Sequence, residues 1–153
     1  MKITDILDEA SVVQDLRSAN KKGVLEELSN VLVREGKLPD QDRVVEVLLE
    51  REKLGSTGIG DGIAIPHGKM KGIKRLVASF GRSIRGVNFE SVDNKPTHLF
   101  FLLVAPENSA GVHLKALARI SRLLKDSSFR NRLMEAGDRQ DLYRTIVEAD
   151  ETF

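Results

Sequence analysis

The sequence predicts one α/β domain spanning residues 1–153, with its core over about 3–149: a central mixed β-sheet flanked by helices. Three observations predict it. Leu99-Phe100-Phe101-Leu102-Leu103-Val104 is a continuous apolar run between a turn at Asn94-Lys95-Pro96 and Pro106, which suits a strand buried on both faces. Helical spacing of apolar residues precedes and follows that run. Between the leading helices and the run lies a glycine-rich joint that opens into short strand signals. Strand order does not follow from the pattern.

The elements follow in order. Ser18 can cap a helix carrying Val24, Leu25, Leu28, Val31 and Leu32, which Gly36 ends. Asp40, after Pro39, can cap a second helix carrying Val44, Val45, Leu48 and Leu49, running out at 53–55. Four glycines in residues 55–62 lead into a short strand at 63–65, broken by Pro66. A strand at 76–82 and a short edge piece at 86–89 come next. After the apolar run, Leu114, Leu117, Ile120, Leu123 and Leu124 mark a long helix. Two shorter helices close the chain, one capped near Ser128 and one around 142–147.

Composition narrows the function. There are 24 basic and 23 acidic residues, which argues against nucleic-acid binding by bulk charge. No cysteine is present, so disulfides, thiolate metal sites and cysteine nucleophiles are excluded. The first ten residues lack the apolar stretch of a signal peptide, and the run at 99–105 is too short to span a bilayer. These features point to the cytoplasm, with no direct membrane insertion. Low aromatic content, without Trp, disfavours stacking platforms for single strands or sugars.

The chemistry concentrates in residues 51–68. Gly55 and Gly60 have P-loop spacing, but Asp61-Gly62 follows where Lys-Ser or Lys-Thr is needed. Gly58 and Gly60 lack the third glycine of a dinucleotide fingerprint, and the segment leads to a strand and a proline instead of a helix. A nucleotide cofactor is disfavoured. The glycines still allow backbone N–H groups to converge on an anion, and Ser56 and Thr57 add hydroxyls; a tight solvated turn is the plainer reading.

His67 stands at the end of the short strand, behind Pro66 and ahead of Gly68. Pro66 stiffens the approach, and Gly68 would leave room beside the ring for a partner. With an ordinary pKa of ~6.5, a neutral imidazole has one nitrogen free to attack near neutral pH. A structural histidine and a reactive one both fit these residues. Arg51 can reach the same region or simply complement a helix C-terminus. His113, in the first turn of the long helix, can face an anion or be an ordinary surface residue. His98 reads as structural. The three histidines show no metal-ligand spacing, so no metal is expected. Lys69, Lys71, Lys74, Arg75, Arg82 and Arg85 form a basic stretch, either a solvated face or a surface for an acidic partner.

The run Arg51-Glu52-Lys53-Leu54-Gly55-Ser56-Thr57-Gly58-Ile59-Gly60-Asp61-Gly62-Ile63-Ala64-Ile65-Pro66-His67-Gly68 resembles the phosphorylation-site signature of the type-2 IIA domains of the phosphotransferase system, the fructose/mannitol/nitrogen-regulatory class. The resemblance continues through Asp93-Asn94-Lys95-Pro96 and His113-Leu114-Lys115-Ala116-Leu117. Gly55 to Gly60 looks most like the nitrogen-regulatory branch. The resemblance implies a mannitol-IIA-like fold and a phosphoryl group carried on Nε2 of His67. It implies His113 and Arg51 as the other active-site residues, direct imidazole-to-imidazole transfer and no cofactor. Ser56, Thr57, Gly58 and Gly60 are the expected backbone and hydroxyl donors to the phosphoryl oxygens.

The implied donor is an HPr-like phosphocarrier, either HPr or its nitrogen-branch paralogue. Downstream, the branch implies regulatory protein targets in nitrogen and potassium metabolism. The alternatives are a sugar IIA that hands phosphate to a separate IIB cysteine, and an interaction module that is never phosphorylated. The absence of cysteine means that no IIB acceptor of that kind lies within these residues.

Overall fold

The computed structural model describes residues 1–152. Two single-turn 3-10 helices, Ile3–Asp5 and Glu9–Ser11, lead into β1 (Val12–Val13). Two helices follow, α1 (Lys21–Arg34) and α2 (Gln41–Glu52). Then come β2 (Gly58–Gly60), β3 (Ile63–Ala64), β4 (His67–Met70), β5 (Val77–Val87) and β6 (Thr97–Pro106). The chain ends in α3 (Ala110–Lys125), α4 (Ser127–Glu135) and α5 (Arg139–Glu151). No helix among the described residues is long and apolar enough to cross a membrane.

The sheet is mixed, in the order β1-β5-β6-β3-β2, with β4 also paired to β6. The expected central strand is β6. It runs antiparallel to β5 on one side and parallel to β3 and β4 on the other. Side chains alternate along a strand, so its two faces feed two cores. Leu99, Phe101, Leu103 and Ala105 join the core that α3, α4 and α5 cover. Phe100, Leu102 and Val104 join the core that α1 and α2 cover. Each fully buried Leu or Phe contributes about 1.5–3 kcal/mol relative to exposure.

Several local expectations are corrected. The cap of α1 is Asn20, whose side chain accepts the Gly23 N–H at 2.9 Å, and not Ser18. Glu27 explains the shift: its carboxylate takes the N–H groups of Arg17 and Ser18 at 2.9 and 2.7 Å and holds both outside the helix. The cap expected near Ser128 is Asp126, which accepts the Ser128 N–H at 2.9 Å. The last helix runs well beyond 142–147 at both ends. Strand 76–82 and edge piece 86–89 are one interior strand, β5, interrupted by a register shift between Arg82 and Val87. At that bulge Gly86 adopts φ +91° and donates to Ser83 Oγ at 3.0 Å, which breaks the period the sequence shows.

The short strand also divides differently. β3 and β4 both lie along β6 and are separated by Pro66, which has no N–H to donate. The carbonyl of Pro66 still accepts from Leu103 N–H at 2.9 Å, so the proline interrupts the ladder without turning the chain away. His67 therefore begins a second strand instead of ending the first. Arg82 leaves the basic stretch altogether. It is 3% exposed, and its guanidinium donates to the carbonyls of Gln14, Leu133 and Ala136 at 3.1, 2.9 and 2.6 Å. It fastens the C-terminal end of α4 to the sheet, while Lys69, Lys71, Lys74, Arg75 and Arg85 stay exposed.

Candidate active site

The parallel pairing of β4 with β6 sets His67 opposite Leu103, next to α2 on one side and the start of α3 on the other. Its ring is half-buried, and Nδ1 lies 2.8 Å from the carbonyl oxygen of Ile65. A carbonyl only accepts, so Nδ1 carries the proton and Nε2 keeps its lone pair. Burial lowers the His67 pKa, the Ile65 hydrogen bond raises it, the Arg51 charge lowers it and Glu52 raises it. The net shift is downward, which leaves the ring neutral at neutral pH.

His113 occupies the first turn of α3, with its ring centroid 5.4 Å from that of His67 and the planes tilted by 51°. It is not on the surface: only 5% of it is exposed. Its Nδ1 is buried with no hydrogen-bond partner. Such an atom costs about 1–3 kcal/mol when left unsatisfied. Burial, then the neighbouring His67 and Lys69, push the His113 pKa down to about 4.

Arg51, one residue before the end of α2, donates from Nη1 to Gly55 O at 2.9 Å. This single bond orients the guanidinium and leaves its other donors uncommitted to that carbonyl. Arg51, His67 and His113 line one open pocket of about 570 Å³, together with Val47, Glu50, Leu54, Gly68, Lys69, Leu114 and Leu117. Leu54 and Leu114 stand at the rim, 83% and 64% exposed. Leu114 thus leaves the buried stripe that helical spacing assigns to it.

The glycine-rich turn is arranged otherwise than its composition suggests. Ser56, Thr57, Gly58 and Gly60 do not line the pocket. Ser56 Oγ donates to Phe89 O at 3.2 Å and accepts from Gly58 N–H at 3.1 Å. Thr57 gives both its N–H and its hydroxyl to the carboxylate of Glu52. Gly58 and Gly60 belong to β2, where a side chain on Gly58 would meet Ser91 Cα at 3.1 Å. The donors are spent on holding the turn itself. Phe89, which accepts from Ser56 Oγ, and Ser91, whose hydroxyl donates to Gly58 O, come from more than thirty residues away, which no local pattern reveals.

Gly68 is corrected too. A Cβ there would lie 2.8 Å from Val47 Cγ1, so the glycine lets α2 pack against β4 and is not simply an opening for a partner. We expect Gly68→Ala to cost about 1–3 kcal/mol of stability by overpacking, measured by urea denaturation. Lys69, one of the residues of the basic stretch, lines the pocket. Strand alternation was the available signal, since residues 67 and 69 share a face. His98 donates from Nδ1 to Ser83 O at 2.8 Å, far along β6 from the pocket, in keeping with a structural part.

The two lowered histidine pKa values have a thermodynamic consequence. The native state binds fewer protons than the unfolded chain between the ordinary value of ~6.5 and the native values. Stability is therefore fully present above that ordinary value and falls as pH drops toward about 4, the native value of His113. Thermal melts over this range are expected to show a shallower acid-side decline in His113→Asn than in the wild type.

One imidazole with a free nitrogen, a second imidazole beside it and an arginine at the same pocket make this the candidate site of a small α/β domain. The chain matches the family model "Phosphoenolpyruvate-dependent sugar phosphotransferase system, EIIA 2" over residues 5–149 and belongs to that family. A nitrogen regulatory protein of Bradyrhizobium diazoefficiens is 42% identical over 149 residues, covering 96% of this chain and 95% of that protein. The fructose-specific EIIABC component of Bacillus subtilis is 40% identical over 98% of this chain, but the chain spans only 24% of that longer protein. The crystal structure of the nitrogen regulatory protein IIA-Ntr from Neisseria meningitidis superposes with a TM-score of 0.87 at 38% identity, covering 94% of this chain and 98% of that one.

Proposed function

We propose that the protein carries a phosphoryl group on Nε2 of His67, accepted from the phosphohistidine of an HPr-like carrier in the cytoplasm. The observation that carries this reading is the Nδ1 hydrogen bond to Ile65 O, which leaves Nε2 as the nucleophilic nitrogen at the pocket. In the transfer, the phosphorus–nitrogen bond of the donor breaks as the bond to Nε2 forms, and the leaving imidazole keeps the electron pair. Charge accumulates on the three equatorial oxygens, so catalysis rests on positioning and electrostatics. Arg51 and His113, which line the same pocket, are the groups that can meet those oxygens. Ser56, Thr57, Gly58 and Gly60 then act by shaping the turn. The exposed side chains of Leu54 and Leu114 at the rim offer apolar contact to the donor.

The output reading we favour is regulatory: a phosphoryl group adds about −1.5 to −2 charge at the rim and alters which proteins bind there. The near full-length match to a nitrogen regulatory protein supports it. A sugar IIA handing phosphate to a separate IIB is supported by the fructose-specific relative. Incubation with phosphoenolpyruvate, enzyme I and HPr or its nitrogen-branch paralogue, followed by intact-mass measurement, tests the carrier reading. Presenting the phosphorylated protein with a fructose-type IIB separates the two outputs: rapid, complete discharge favours sugar transfer, and retention favours regulation.

A further inference from the structure

Glu52 is the last residue of α2, and its carboxylate is buried at the back of the pocket wall. It accepts the Thr57 N–H at 3.1 Å and the Thr57 hydroxyl, and it pairs with Lys21 Nζ at 3.0 Å. Lys21 in turn sits 5.0 Å over the Phe89 ring, whose own carbonyl takes Ser56 Oγ. A buried carboxylate is costly unless its acceptor sites are filled, and here both oxygens are engaged.

The consequences of this cluster run in two directions. Between Glu52 and Thr57 the chain makes its turn, and the turn presents Gly55 O to Arg51 Nη1 at 2.9 Å. Beyond it, Thr57 O accepts the Ile65 N–H at 3.1 Å. Ile65 O then accepts Nδ1–H of His67 at 2.8 Å. One carboxylate therefore underlies both the backbone oxygen that orients the arginine and the one that selects the histidine tautomer.

We propose that Glu52 is a positioning residue of the phosphoryl-accepting site: through Thr57 it holds the turn whose carbonyls orient Arg51 and, by way of Ile65, keep the proton on Nδ1 of His67. The rate consequence rests on the carrier reading above; the tautomer consequence does not. The negative charge of Glu52 also opposes burial and Arg51, both of which lower the His67 pKa. His113 and Lys69 are the other titratable groups facing the pocket alongside Arg51, His67 and Glu50.

Two variants test it, Glu52→Gln and Thr57→Val, each compared with the wild type by NMR of isotope-labelled histidine nitrogens and by the rate of phosphoryl transfer from an HPr-like carrier. In the wild type the Nδ1–H form of His67 is expected to dominate. In Glu52→Gln both tautomers are expected to appear, the His67 pKa to fall, and transfer to slow roughly 10- to 100-fold. Thr57→Val, which keeps the Lys21–Glu52 pair, is expected to move the tautomer the same way by less. Folded variants with an unchanged tautomer would overturn the proposal, even if their melting temperature dropped. If Glu52→Gln does not fold, the Thr57→Val tautomer decides alone. If the wild type accepts no phosphate, the carrier reading fails while the tautomer measurement still decides the part played by Glu52.

Discussion

His67→Gln is expected to abolish phosphoryl acceptance. Glutamine keeps a polar side chain of similar reach but has no nitrogen lone pair, since its amide nitrogen is conjugated with the carbonyl. Its carbonyl oxygen is a poor nucleophile at neutral pH. The loss is therefore one of chemistry and not of shape, and it should be complete within detection. Nothing nearby can substitute. His113 is only 5% exposed while His67 is half-buried, so a donor imidazole cannot approach it as it approaches His67. The fold should tolerate the change, because the ring is only half-buried and its one protein hydrogen bond is to a local carbonyl. Circular dichroism and a thermal melt of His67→Gln verify that loss of labelling is not loss of structure.

The second large effect is expected at His113. Its neutral ring sits 5.4 Å from His67 with an unsatisfied nitrogen and a pKa of about 4. The unsatisfied nitrogen is a cost in the resting protein. The ring becomes favourably placed once a dianionic phosphoryl group is seated on His67, because an anion beside a buried imidazole favours its charged form. His113→Ala is expected to slow transfer about 100- to 1000-fold, the usual effect of removing one donor to developing oxyanion charge. Some transfer persists, because Arg51 remains. Phosphorylation should also raise the His113 pKa, which NMR titration of the free and phosphorylated protein can read. A rate within a factor of two or so of wild type, with no pKa rise, would remove His113 from the mechanism and leave it a packing residue of α3.

The parts of this molecule that repeat along the chain were legible in its sequence. β6 could be read because its apolar run has no polar face and is bounded by Pro96 and Pro106. The cap at Asp40 was legible because its partners, the N–H groups of Asp42 and Arg43, are two and three residues away. What was not legible depends on packing that no local pattern encodes. Ser56 and Thr57 look like free donors until Phe89 and the buried side chain of Glu52 meet them. Gly68 looks like an opening until Val47 of α2 lies against it. His113 looks like a surface residue at a helix start, and its burial follows only from how α3 lies beside β4. Leu114 errs the other way: its spacing is that of a core residue, yet it stands at the rim.

The site has an economy that follows from this arrangement. Backbone carbonyls do the orienting, with Gly55 holding Arg51 and Ile65 holding His67, so side-chain donors remain for an incoming group. Lys69, on the same strand face as His67, adds positive charge at the pocket without touching the tautomer. On the proposed reading, a seated partner would cover the apolar rim residues Leu54 and Leu114 and exclude water, which strengthens every electrostatic contact inside.

The most direct measurement is the intact mass of the wild type and of His67→Gln after incubation with phosphoenolpyruvate, enzyme I and an HPr-like carrier, kept at neutral to alkaline pH. The expected result is the mass of one added phosphoryl group on the wild type and none on the variant. An unmodified wild type, or equal labelling of both proteins, would contradict the assignment of His67 as the phosphoryl carrier.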